Sequence, residues 1–134
     1  MPIAKIIKNY FQTTTEVLCV YLFGSFAAGK ENKMSDVDLG VIFDEKIIKE
    51  DFGDKVLDYI ADLSELSKRE VDVVALNSAF PFLKFQILKS GQRIYEREGR
   101  EDHCFEVKAI NEYFDYLPYR QRMEKAIINK IRNS

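Results

Sequence analysis

The chain has no tryptophan, one histidine and two cysteines, and each scarcity removes a class of protein. Cys19 sits in an apolar run and Cys104 stands far from it, so neither a disulfide framework nor the close Cys/His spacing of a zinc site can be drawn. Reduced thiols in a cytoplasmic setting are the expectation. The lone histidine, His103, lies in a charged segment and reads as a surface residue rather than a ligand or base. No stretch approaches the roughly 20 apolar residues of a membrane span. The start, Met1-Pro2-Ile3-Ala4-Lys5, also lacks the basic segment, apolar run and cleavage site of a leader, so a soluble, intracellular protein is expected. Charge of one sign is missing too. A net charge of -2 with 31% charged residues of both signs demands no polyanionic partner such as duplex DNA. No repeat, low-complexity segment or flexible linker is visible. At 134 residues and 46% hydrophobic content, the chain is expected to form one domain over 1–134 with a core that needs neither disulfide nor structural metal.

Ile3, Ile6, Ile7, Tyr10 and Phe11 recur at spacings of three and four, predicting a helix over residues 3–13. Val17 to Phe23 is a continuous apolar run ended by Gly24-Ser25 and reads as a buried strand. A small, polar stretch containing Gly29 follows, and Val37 to Phe43 returns to strand character. From Glu50 to Ser67 the apolar residues return to helical spacing, then Val71 to Leu76 makes a third strand. Phe80 to Leu88 predicts a short helix closed by Ser90-Gly91, and Arg93 to Tyr95 a small strand at a sheet edge. The C-terminal segment, about 101–132, is predicted helical, with Pro118 as a break or kink. The expected product is an α/β (α+β) fold: a small mixed sheet with helices packed against it.

The chemistry concentrates in Gly24-Ser25, Gly29-Lys30 and Ser35-Asp36-Val37-Asp38. Asp36 and Asp38 are two apart at the start of a strand, so both side chains leave one face while Val37, Leu39 and Val41 leave the other. Adjacent carboxylates repel unless a cation lies between them, and a hard divalent ion such as magnesium takes carboxylate and phosphate oxygens together. Gly24 lets the backbone approach a phosphate, and exposed N–H groups after it make an anion-binding nest. Ser25 suits a hydroxyl donor to phosphate better than a covalent nucleophile, since no histidine is near it in sequence. Asp72, flanked by valines in the third strand, either completes the metal site or takes the acceptor's proton. Taken singly, these are turn, cap and strand-end signals. Together, Gly24, Ser25, Gly29, Asp36 and Asp38 would coincide by chance in roughly one chain in several thousand of this length, which favours the functional reading.

Gly-Ser, ten residues, then Asp-x-Asp resembles the signature of the polymerase-beta-like nucleotidyltransferases. The small size, Asp72 in Val71-Asp72-Val73-Val74 and the tail Asn111-Glu112-Tyr113-Phe114-Asp115-Tyr116-Leu117-Pro118 are similar to the minimal nucleotidyltransferase (MNT) branch, within it to MntA-type antitoxins paired with HEPN-domain toxins. The resemblance implies the nucleotidyltransferase fold and transfer of AMP from ATP to a tyrosine of a HEPN ribonuclease partner. It implies that Asp36, Asp38 and Asp72 are catalytic and hold two magnesium ions, and that Gly24, Ser25, Gly29 and Lys30 bind the nucleotide. Relatives often carry arginine before the second glycine of the loop. Here Ala28 stands there, leaving Lys30 or Lys33 to supply the charge.

Two rival readings share these residues: transfer to a small molecule, and neutralisation of a toxin by binding without turnover. The basic C-terminal segment carries Met123, Ile127, Ile128 and Ile131 on an apolar stripe. A helix that covers the core is the expectation for it, with docking of a HEPN helix as the alternative. A nucleic-acid role has no aromatic platform to support it.

Overall fold

The computed structural model describes residues 2–24, 36–97 and 102–132, with the backbone alone for 102–107. Helix α1 (Ile3–Phe11) leads into strand β1 (Val17–Phe23), and strand β2 (Val37–Phe43) follows. A single 3-10 turn at Lys49–Asp51 opens helix α2 (Phe52–Ser67), which returns the chain to strand β3 (Val71–Ala75). A second such turn, Leu76–Ser78, precedes helix α3 (Pro81–Ser90), strand β4 (Gln92–Glu96) and helix α4 (Asp102–Arg132).

The sheet order is β3-β2-β1-β4. Strand β1 runs antiparallel to β2 and to β4, whereas β2 and β3 are parallel, as a helical crossover between them requires. The mixed sheet and the edge position of β4 agree with the sequence. Two details do not follow from it. The β1 register shifts between Val17 and Cys19, so Leu18 and Cys19 both leave the sheet on the side opposite Val17 and Val20. Leu76 begins a turn instead of ending β3, and packs against the bare backbone of Gly40.

Each sheet face has its own apolar cluster. On one face, Val17, Val20, Leu22, Val37, Leu39 and Val41 meet Ile7 and Phe11 of α1 and Tyr59 and Leu63 of α2. Aromatic rings reinforce this layer: Phe43 stacks on Phe52 at 4.6 Å, and Phe11 meets Tyr59 edge-on at 5.1 Å. Their phenols are satisfied at its rim, Tyr59 donating to Glu16 at 2.7 Å and Tyr10 to Asp62 at 2.6 Å. The other face carries Tyr21, Ile42, Leu76 and Ile87, and α3 lies over it beside β1. Arg97 ties the sheet together at one end: its backbone N–H donates to Leu18, and its guanidinium donates to the Thr15 carbonyl and pairs with Asp44, each at 2.8 Å.

Helix α4 bears on two expectations: Pro118 does not break it, and its apolar stripe does not cover the core. It runs through Pro118 without interruption, although the ring leaves the Phe114 carbonyl without its usual helical donor. Its first half packs on α3, where Tyr113 stacks on Phe85 at 4.0 Å and the buried Lys84 donates to Glu112 at 2.9 Å. Its last turns leave the body. Met123, Ile127 and Ile128 are about half exposed, at 54%, 57% and 49%, so the apolar stripe does not cover the core as expected. Among the described residues, no helix is long and apolar enough to cross a membrane.

Candidate active site

Strand alternation sets the geometry of the acidic residues. In β2 the odd positions Val37, Leu39 and Val41 are fully buried against α1 and α2, so Asp38 must leave the opposite face. Asp38 is flanked by Phe23 of β1 and by Asp72 of β3, its register partners on either side. Neighbouring strands lie about 5 Å apart, which puts Asp38 and Asp72 side by side on one face. Asp36 stands just before β2, exposed, two residues from Asp38.

The electrostatics report the same proximity. Burial, then the nearby charges of Asp72 and Asp36, push the Asp38 carboxyl above the ordinary carboxylate range. Two further carboxyl groups thus lie close enough to Asp38 to disfavour its charge. Among the described residues, no three His, Cys, Asp or Glu side chains are already gathered as a ligand cage. Asp72 turns one oxygen back to accept from the Val73 N–H at 3.0 Å. The donor set nevertheless fits a hard divalent cation, which needs only one or two carboxylates when substrate phosphates and water complete its shell.

Gly24 closes the site from β1. It has φ +75, a left-handed conformation that glycine adopts without strain, and it turns the chain directly over the Asp38 side chain. A Cβ at this position would lie 2.5 Å from Asp38 Oδ2. The structure therefore brings Gly24, Asp36, Asp38 and Asp72 together. Ser25, Gly29 and Lys30 lie outside the described residues, as does Ser35.

Sequence reasoning did not find the cleft beside this site. Tyr21, Phe85, Leu88, Lys89, Arg93 and Ile110 line about 480 Å³ between β1, β4, α3 and α4. These residues are spread along the chain with no local motif. Only the alternation of β1, which puts Tyr21 on the face of Phe23, hints at a shared surface.

Comparisons with known proteins bear on the family and the fold. The profile of the Polymerase beta, Nucleotidyltransferase family matches residues 5–100. The chain is similar to the protein adenylyltransferase MntA of Shewanella oneidensis, 29% identical over 133 residues that cover 95% of this chain and 85% of the relative. Its fold is similar to a chain in a toxin-antitoxin crystal structure with AMP-PNP, with a TM-score of 0.77, 25% identity and coverage of 96% and 99% of the two chains. It also resembles in fold a chain of the complex between tri-AMPylated Shewanella oneidensis HEPN toxin and its MNT antitoxin, with a TM-score of 0.70, 24% identity and coverage of 94% and 95%.

Proposed function

The chain belongs to the polymerase beta nucleotidyltransferase family, and from that premise we propose that it is a protein adenylyltransferase of the antitoxin type. It transfers AMP from ATP to a tyrosine of a HEPN-domain toxin. The observation that carries this reading is the pairing of Asp38 with Asp72 under the Gly24 turn, in a chain similar along nearly its whole length to a protein adenylyltransferase.

Asp36 and Asp38 are the residues that would hold magnesium, two ions in the full reading, with Asp72 joining at the catalytic one. When bound, magnesium neutralises the triphosphate and stabilises charge on the entering and leaving oxygens. The backbone after Gly24, with Ser25, Gly29 and Lys30, holds the phosphate tail so that pyrophosphate faces the turn. Asp72, exposed on the flank of Asp38, orients the acceptor and receives its proton. The tyrosine oxygen bonds to the α-phosphorus as the bond to the bridging oxygen breaks and pyrophosphate leaves. ATP as donor sets the reaction in the cytoplasm.

The exposed stripe of α4 is the surface we assign to the toxin. Met123, Ile127 and Ile128 share one side of the helix, and Arg122 and Lys125 near them suit an acidic rim on the partner. The same stripe favours a second reading, neutralisation by binding alone. Transfer to a small molecule is the weaker alternative, because the relative similar over nearly the whole chain is a protein adenylyltransferase. Intact mass of the HEPN partner after incubation with this chain, ATP and magnesium decides between them. A gain in AMP units that disappears in Asp36→Asn/Asp38→Asn establishes adenylylation, whereas an unmodified partner in a tight complex establishes binding alone.

A further inference from the structure

We propose that the basic end of helix α4 docks on the acidic outer face of helix α2 of a second copy of this chain. The proposal goes beyond adenylyl transfer and does not depend on it.

The direction of α4 comes first. Ile110 shares a cleft with Leu88 and Lys89 at the end of α3, Tyr113 stacks on Phe85, and the Arg120 guanidinium lies 4.3 Å from the Phe82 ring near the start of α3. The two helices therefore run antiparallel, and residues 123–132 pass beyond the start of α3. Just before that start, the Asn77 side chain accepts from the Phe43 N–H at 2.8 Å and donates to the Phe43 carbonyl at 3.1 Å. Phe43 ends the strand that Val37 and Asp38 begin, so the overhang leaves the body at the end away from the carboxylates.

Charge then selects what the overhang can meet. From Arg120 to Arg132 it carries five cations against Glu124 alone. Lys125 and Arg132 stand three and four positions from Ile128, and Lys130 three from Ile127, so cations border the exposed stripe on both sides. Two such ends would repel each other, which disfavours pairing α4 with α4.

Helix α2 offers the complement. Asp54, Asp58 and Glu65 recur at spacings of four and seven, so they form one exposed row, with Ala61 in the gap and Leu57 beside it, 65% exposed. Among the described residues, none forms an ion pair with these three acids. Asp62, by contrast, accepts from Tyr10, and Lys55, the one cation of α2, turns to Glu16 at 3.9 Å. Like charges four apart destabilise a helix until a cation lies over them. The lengths also match: Asp54 to Glu65 spans about 17 Å, and Arg120 to Arg132 about 18 Å.

The receiving α2 belongs to another copy, because α3, on which α4 packs, covers the sheet face opposite the one that α2 covers. Unlike surfaces meet, so the contact is heterologous, and copies add head to tail into a ring or an open chain. Asp38 faces the α3 side and stays open in such an assembly. The α4 stripe does not, so a second copy and the toxin compete for it.

The test is sedimentation velocity of the full chain across a concentration series, in about 0.1 M and about 1 M sodium chloride, since screening shortens the reach of charges from about 10 Å to about 3 Å over that range. The wild type is expected to associate as concentration rises, and less so in high salt. Asp54→Lys/Asp58→Lys and Lys125→Glu/Lys130→Glu should each weaken association at least about tenfold, because opposed pairs become like pairs. A chain carrying all four substitutions should regain it, which also shows that each pair is compatible with folding. A wild type that stays monomeric overturns the proposal. So does association untouched by the α2 reversal, or a fourfold variant that does not recover. A monomeric wild type that still adenylylates a HEPN partner overturns self-association and leaves the transfer reading standing.

Discussion

Asp38 and Asp72 are direct register partners across the parallel pairing of β2 and β3, so two carboxylates meet on one sheet face at the end where Gly24 turns over them. Like charges in this arrangement cost stability until a cation arrives. The Asp38 carboxyl is held above its ordinary range by burial and by its two acidic neighbours. Its proton is therefore bound more readily in the folded than in the unfolded chain, and this group's contribution to stability falls as pH rises from the unfolded value through the folded one.

Replacing Asp36 and Asp38 by asparagine removes that repulsion. The metal-free double variant is expected to melt about 2–4 °C above the wild type at neutral pH, a shift worth roughly 1 kcal/mol. It should show no transfer and no further rise in melting temperature with magnesium, whereas the wild type rises as the ion saturates the site. Calorimetric melts with and without magnesium, beside a transfer assay, check all three. Transfer retained by the folded variant contradicts the site.

Gly24→Ala is expected to damage both stability and rate. The left-handed φ of +75 costs a non-glycine residue about 1–2 kcal/mol, and the new methyl would displace the Asp38 carboxylate. A misplacement of about 1 Å lowers turnover by about 100-fold. Turnover equal to wild type in a folded Gly24→Ala chain would show that the turn does not position Asp38.

At the opposite end of the sheet the sign of the pH dependence reverses. The Lys46 backbone N–H and the Arg97 guanidinium hold the Asp44 carboxyl below the ordinary carboxylate range. A depressed carboxyl stabilises the fold above its unfolded value, and that stability is lost as pH falls through its folded value. Arg97→Ala should thus lower the melting temperature by about 3–5 °C at pH 7 and by less below about pH 3. A loss that stays constant across the acid range would assign the effect to the Thr15 bond instead.

Met123→Glu combined with Ile127→Glu places charge on the α4 stripe without touching the core, since both side chains are more than half exposed. The melting temperature should change by less than about 2 °C, in line with surface substitutions elsewhere. Affinity for the HEPN partner is expected to fall at least 100-fold by calorimetry or surface binding. Full affinity would move the docking surface away from α4.

The parts of this protein legible in the sequence are those that local pattern determines. The continuous apolar run Val17–Phe23 marked β1, and strand-forming residues on either side of Asp38 and Asp72 marked β2 and β3, each to within a residue. The parity of Asp36 and Asp38 against Val37, Leu39 and Val41 predicted which way the β2 carboxylate would point. Non-local facts were hidden. The bulge at Leu18 is a matter of pairing with Ile42 and Phe43, and nothing in Val17-Leu18-Cys19 announces it. Burial of Lys84 depends on Glu112, 28 positions away. Pro118 left a break and a kink as alternatives, and the helix avoids the break by accepting one unpaired carbonyl, which Phe114 supplies on an exposed turn. The stripe of α4 is periodic whether it faces a core or solvent, so periodicity alone could not decide its exposure.

The alternation of β2 also bears on how the chain survives mutation. Its odd residues hold the protein together and its even residue Asp38 faces the chemistry, so the two can be lost separately. A substitution at Asp38 that ends turnover leaves a folded chain, not a degraded one. Such a chain keeps its α4 stripe, and if that stripe is the docking surface it would still occupy its partner, in competition with active copies. In a cell holding both, the inactive allele would act as a dominant titrant, and its effect would depend on gene dosage rather than on catalytic rate.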